Sequence, residues 1–197
     1  AELPPLRAEQ RAAPEWALSG AAGRPKRLIA SIQLQPEALE AANCRLQAKI
    51  AAIAQNEVRT VEYLLDDADI VVVGFGSAGR IAQSAVAAAR QRGIRAGLLR
   101  PVTLFPFASE RLSGLAARGR GLLVVEMNAG QMLDDVRIAA AGLAPVRFYG
   151  RTGGVVPFPD EILEAIVQLD QETRRARPLP NVERLLNHVP QKVGNGR

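Results

Sequence analysis

The feature that most restricts what this chain can fold into is a pair of apolar runs that do not alternate. Residues 70–73 read IVVV and residues 121–125 read GLLVV. A strand with one wet face alternates apolar and polar positions, so an unbroken run implies cover on both faces. Helix-patterned segments are interleaved with these runs: an Ala-rich stretch at 78–92, a short one at 109–118, another at 130–141, and one starting near Pro159. Strand and helix therefore alternate from residue 70 onward, which is the signature of a sheet with helices on both sides.

Two further segments complete the strand set, IRAGLLR at 94–100 and PVRFYG at 145–150. Ahead of the alternation, EVRTVEYLL (57–65) has a strand-like composition, and only DDAD separates it from IVVV. Parallel neighbours need a crossover of about a dozen residues or more, so this short link predicts that strand one runs antiparallel and pairs with strand two. The expected fold is a three-layer α/β/α sandwich around a mixed five-stranded sheet, with the first strand antiparallel and four parallel.

Residues 1–36 carry Pro4, Pro5, Pro14, Pro25 and Pro36 with Gly20 and Gly23, and read as a linker that lies along something. Trp16, the only tryptophan, is expected to anchor it by packing. Residues 37–56 read as one helix after Pro36, a rod of roughly 28 Å. Leu39, Ala42, Leu46, Ile50 and Ile53 recur along it at spacings of three and four. One apolar stripe must lean on a neighbour, more naturally a domain face than a coiled coil. The expected organisation is a linker and helical arm at 1–56, an α/β domain at 57–171 and a polar tail at 172–197.

Composition removes several classes of chemistry. Cys44 and His188 are the only cysteine and histidine. One thiol cannot hold an iron–sulfur cluster, a Cys/His zinc site is out of reach, and a Ser-His-Asp triad nearly so. The formal charge is +5, and Arg174, Arg175 and Arg177 form a tight basic cluster. Aromatic residues are 4% of the chain, too few to stack many bases, which argues against nucleic acid. No apolar run reaches the ~18–20 residues of a membrane span. AELPPLRAEQ does not read as a signal peptide, so a cytoplasmic protein is expected, and the absent initiator Met suggests a fragment or a processed piece.

In open α/β sheets ligands gather outside the carboxyl ends of the parallel strands. This sequence places GFGSAGR, RPVTLFPF, EMNAGQM and GRTGGVVP there. Helix N-termini on that edge offer N–H groups to anions, and Arg80, Arg100 and Arg151 add charge. Gly74-x-Gly76-x-x-Gly79 spells the dinucleotide-binding turn, followed by Ser77 within it and Arg80 after it. That reading needs a carboxylate at the end of the next strand to hold the ribose. Arg100 stands at that position, which leaves only NADP open and weakens the motif. Glu126 ends a buried-looking strand and is either a general acid/base or, by preference, a cap for backbone N–H groups or a partner for an Arg across an interface. Asn128 is placed to cap the helix beginning near Gly130 and Gln131, whose first turns carry Asp134 and Asp135 in accord with the helix dipole.

The strings LLRPVTLFPF, VVEMNAGQM and FYGRTGGVVP, in this order after DIVVVGFGSAGR, resemble one family closely. Residues 14–170 are similar to the C-terminal domain of the α subunit of 2-oxoacid:ferredoxin oxidoreductases, above all the 2-oxoisovalerate type. The resemblance implies a transketolase C-terminal-like fold. It further implies a complex that decarboxylates a 2-oxoacid on thiamine diphosphate with magnesium, reduces ferredoxin through iron–sulfur clusters and forms an acyl-CoA. In this fold the Gly turn serves helix–sheet packing and presents a loop to a neighbour.

The family's pyrimidine-gripping domain has no counterpart here, and no Gly-Asp-Gly metal motif occurs. The chain alone is therefore expected to carry no catalytic residue, no metal and no cofactor. Its expected role is an interface module for the pyrimidine-binding domain and the β and γ (ferredoxin-like) subunits, in a homo- or hetero-oligomer. Gly74–Arg80, Arg100, Glu126–Gln131, Gly150, Arg151, Gly153 and Gly154 would shape that contact. The rival expectation is a free-standing NADP-binding module built on the Gly motif.

Overall fold

A computed structural model describes residues 14, 16–17, 20, 22–27 and 31–175. The described residues fall into two compact units that divide between Ala48 and Lys49, inside the first helix. That helix, α1, spans Pro36–Asn56, with Pro36 in the first turn where its missing N–H costs nothing. None of its residues is buried, and Leu39, Leu46 and Ile50 are exposed. Trp16, expected as a packing anchor, is 62% exposed. A short turn closes beside it, where the Ala17 N–H donates to Pro14 O.

The second unit holds β1 (Thr60–Tyr63), β2 (Ile70–Gly74), α2 (Gly76–Gln91), β3 (Ala96–Pro101), α3 (Ser109–Arg118), β4 (Gly121–Glu126), α4 (Gln131–Ala140), β5 (Val146–Gly150) and α5 (Pro159–Arg175). The strands form one mixed sheet in the order β1-β3-β2-β4-β5. β2 pairs in parallel with β3 on one side and β4 on the other, β4 pairs in parallel with β5, and β1 is antiparallel. The expected three-layer sandwich is thus present.

Successive side chains on a strand point to opposite faces, so each unbroken apolar run feeds two cores. Ile70 and Val72 pack with Leu98, Leu123 and Val125 beneath α2 and α5. Val71 and Val73 pack with Leu99, Leu122 and Val124 beneath α3 and α4. α2 meets the sheet through Ala78, Ala82, Ala85 and Ala89, a buried stripe at helical spacing whose small side chains allow close approach.

Strand one departs from expectation. It is shorter than 57–65, and it pairs with β3, Thr60 opposite Pro101 and Tyr63 opposite Leu98. It does run against β2, but β3 lies between them. A short link rules out a parallel neighbour, yet it can still step over one strand: two strand spacings are about 9.6 Å, well within reach of six residues. The step is built into side chains. Gly97 of β3 has no Cβ, and one added there would overlap Leu64 O and come within 2.8 Å of Leu65 Cδ2. Leu64 adopts a left-handed φ of 52°, and Leu65 is buried in the α3/α4 core. Arg90 of α2 clasps the crossing. Its guanidinium donates to Leu64 O (2.7 Å), to Ala96 O (2.6 Å) and to both Asp67 oxygens (2.7 and 2.8 Å).

The expected tail boundary also moves. Residues 172–175 are the last turn of α5, and Thr173 bonds back to Leu169 O. The rest of the expected tail, with Arg177 and His188, lies outside the described residues.

Candidate functional site

The four loops singled out from the sequence all emerge at the carboxyl ends of β2, β3, β4 and β5. Their glycines and polar groups are largely spent on holding the loops themselves.

After β2, the chain turns through Phe75 into α2, with Gly76 at φ 54°. A Cβ on Gly79 would stand 2.5 Å from Gly74 O and 2.8 Å from Cγ of Arg100. A Cβ on Gly74 would meet Gly79 Cα and Val125 O at 3.3 Å. The two glycines therefore let the first turn of α2 sit directly on the ends of β2 and β4. Arg100 lays its aliphatic stem where a dinucleotide reading needs a ribose-binding carboxylate. Ser77 and Arg80 are exposed on the outer side of this turn.

After β4, Glu126 is completely buried. Its carboxylate accepts the N–H of Met132 (2.9 Å), the N–H of Leu133 (3.0 Å) and the side-chain amide of Asn128 (3.0 Å). Asn128 Oδ1 accepts the N–H of Gly130 (2.7 Å) and of Gln131 (3.0 Å). The first four N–H groups of a helix have no partner within it. Here Glu126 and Asn128 satisfy all four at α4, and the carboxylate sits at the positive end of the helix dipole. Of the alternatives for Glu126, the cap is the one realised. The N-terminus of α4 is consequently filled from within the chain.

After β5, the Arg151 N–H donates to Glu126 O at 3.2 Å, tying this loop to the previous one. Gly150 is required by crowding, because a Cβ there would overlap the Phe148 ring and approach Asn128 O at 2.7 Å. Phe148 also lies 3.6 Å from a Cβ placed on Gly130, which has φ 105°.

Arg151 donates to Tyr149 Oη (3.2 Å) and pairs with Glu161 of α5, whose other oxygen accepts the Phe158 N–H at 2.8 Å. The Phe158 N–H and the guanidinium hold the Glu161 carboxyl below its usual range, whereas partial burial and Glu161 push the Tyr149 phenol up. Around this group lies an open cavity of about 360 Å³, which Glu164 and Gln168 also line. Gly153 and Gly154, at φ 65° and 82°, are exposed with open space around them and take no part in the cluster.

Beside the exposed Ser77 and Arg80, the loops present several large apolar side chains outward. Val102, Leu104 and Phe105 after β3, Met127 after β4, and Val155, Val156 and Phe158 after β5 are all exposed, Phe105 at 73% and Phe158 at 68%. Sequence reasoning noted the strings that contain them but not their exposure. Tyr149 and Glu161 were also missed. The signal available for Glu161 was its place three residues after Phe158, the spacing of a side chain that reaches back to a helix's first N–H.

A mixed sheet with one antiparallel edge, helices on both faces and a self-capped carboxyl edge defines an open three-layer α/β/α domain. Residues 68–162 match the family "Pyruvate:ferredoxin oxidoreductase core domain II". Ketoisovalerate oxidoreductase subunit VorB from Methanothermobacter marburgensis is 43% identical over 171 residues, 87% of this chain and 48% of that protein. VorB from Methanothermobacter thermautotrophicus is 46% identical over 158 residues, 80% of this chain and 45% of that protein. The 2-oxoglutarate synthase subunit KorA from Methanothermobacter marburgensis is 43% identical over 102 residues, covering 52% of this chain and 27% of that protein. The chain thus spans about half the length of the VorB relatives it matches.

The same fold occurs in the 2-oxoglutarate:ferredoxin oxidoreductase from Magnetococcus marinus. The superposition has a TM-score of 0.63 at 17% identity and covers 70% of this chain and 24% of that one. The NADP-module reading finds no support in these relationships. Among the described residues no helix is long and apolar enough to cross a membrane.

Proposed function

We propose that this chain is the C-terminal domain of the α subunit of a 2-oxoacid:ferredoxin oxidoreductase of the 2-oxoisovalerate type, and that it works as a contact module. The observation that carries this reading is the contrast at the carboxyl edge. Glu126, Asn128, Arg151 and Glu161 are engaged within the loops and the helices they lead into, while Val102, Phe105, Val156 and Phe158 face outward. Exposed apolar area of this kind is covered in an assembly. The pyrimidine-binding domain of the complex is the natural cover, with the arm at 1–56 lying across it and the β and γ subunits completing the enzyme in the cytoplasm.

The chemistry of the whole enzyme would be oxidative decarboxylation of a 2-oxoacid on thiamine diphosphate, with electrons passed to ferredoxin and the acyl group to CoA. The residues of this chain do not fit the groups that perform it. A single cysteine cannot ligate an iron–sulfur cluster. Among the described residues no three His, Cys, Asp or Glu side chains come together as a metal site. No step of the reaction is therefore assigned to a residue here.

The test is co-expression of the chain with a polypeptide equivalent to the other half of VorB. The two should co-purify, and Phe105→Asp combined with Phe158→Asp should abolish this while leaving the unfolding midpoint unchanged. Micromolar NADP binding by the purified chain, or turnover of 2-oxoisovalerate by it alone, would overturn the reading.

A further inference from the structure

The opposite edge of the sheet carries a second concentration of charge. At the amino ends of β2, β3 and β4, Asp69, Gly93, Arg95, Arg120 and Arg174 line an open cavity of about 440 Å³. Arg95 grips Asp69 with two hydrogen bonds of 2.9 and 2.8 Å. Arg120 Nη2 donates to Asp69 (2.6 Å) and to Asp170 (3.1 Å), and Arg174 Nε donates to Asp170 at 2.7 Å.

Three features separate this ladder from one that only ties elements together. Three guanidiniums face two carboxylates, so one positive charge has no counterpart in the ladder. Each guanidinium has five N–H donors, and the five hydrogen bonds of the ladder leave most of them unused. Arg120 Nε is buried and has no hydrogen-bond partner among the described residues, which is a costly arrangement. Gly93, with φ 75° and no side chain, leaves the mouth of the cavity clear.

We propose that this cavity is a binding site for a phosphoryl-type oxyanion, held by Arg95, Arg120 and Arg174. Three guanidiniums converging from two turns and a helix end suit an anion that presents oxygens in several directions. The assignment uses only residues at the amino edge and does not depend on the proposed oxidoreductase function.

The experiment is a titration of the ¹⁵N-labelled 197-residue chain with inorganic phosphate at constant ionic strength, following the arginine Nε–H resonances, with glycerol phosphate as a parallel arm. A saturable shift of Arg120 Nε–H with half-saturation in the low millimolar range or below is expected. Arg95→Gln and Arg174→Gln alter half-exposed side chains. Each should weaken binding about tenfold, while Arg137→Gln on α4 should not change it. Glycerol phosphate binding at least as tightly as phosphate would assign a phosphate monoester, and the reverse order free phosphate. A shift that rises linearly with phosphate without saturating, or equal binding in all three variants, would overturn the proposal.

Discussion

Replacing Glu126 by Gln isolates the device on which the carboxyl edge depends. The carboxylate is fully buried and accepts three hydrogen bonds, two from the first turn of α4 and one from Asn128. Whichever way a glutamine is turned, its NH2 faces a donor. With the amide nitrogen toward Leu133 one bond is lost; turned the other way, the bonds to Met132 and Asn128 are lost. A buried hydrogen bond to a charged group contributes about 1.5–3 kcal/mol, and the abandoned donor adds its own desolvation. Loss of the negative charge at the helix N-terminus adds about 0.5 kcal/mol.

The expected destabilisation is about 3 kcal/mol, or roughly a 10–15 °C fall in the midpoint for a domain of this size. Urea unfolding followed by far-UV circular dichroism measures it, and hydrogen exchange locates it: the Met132 and Leu133 amides should lose protection. A change below about 0.5 kcal/mol would refute the capping argument. If Gln at 126 left stability intact but cut kcat of the assembled enzyme, the residue would be an acid/base group after all.

Gly79→Ala should cost about 2–3 kcal/mol by thermal unfolding, because its Cβ would meet Gly74 O at 2.5 Å and backbone cannot yield as a side chain would. Arg90→Leu strips the carbonyls of Leu64 and Ala96 of their donor and frees Asp67. A loss of about 2 kcal/mol with faster amide exchange at 64–69 is expected. Acid should also destabilise the fold. The Arg111 hydrogen bond holds Glu62 below its ordinary 4.5, and at Asp69 partial burial pushes upward but Arg95 and Arg120 outweigh it, leaving it below 3.8. Carboxyls lowered in the folded state stabilise it above their unfolded values and lose that contribution as pH falls through the folded ones. Stability should hold down to about pH 5 and then decline, and Asp69→Asn should flatten the decline.

The chain's local rhythm was enough to fix its elements. Unbroken IVVV and GLLVV imply strands buried on both faces, Ala at every third or fourth position implies a helix pressed against them, and Gly74 with Gly79 implies a tight junction between the two. Asn128 was legible as a cap because it lies within three residues of the N–H groups it accepts. Such signals survive in sequence because their partners are neighbours along the chain.

What only the tertiary structure decided depends on residues far apart. The place of β1 beyond β3 follows from a missing Cβ at Gly97 and a clasp by Arg90, more than twenty positions from the segment it holds. Glu126 caps α4 from the end of the preceding strand, further off than local capping patterns reach. The charged ladder joins Asp69 to Arg120 and Arg120 to Asp170, each across about fifty residues. A hydrogen bond is satisfied by proximity in space, and the same arginine reads identically in sequence whether its partner lies beside it or across the sheet.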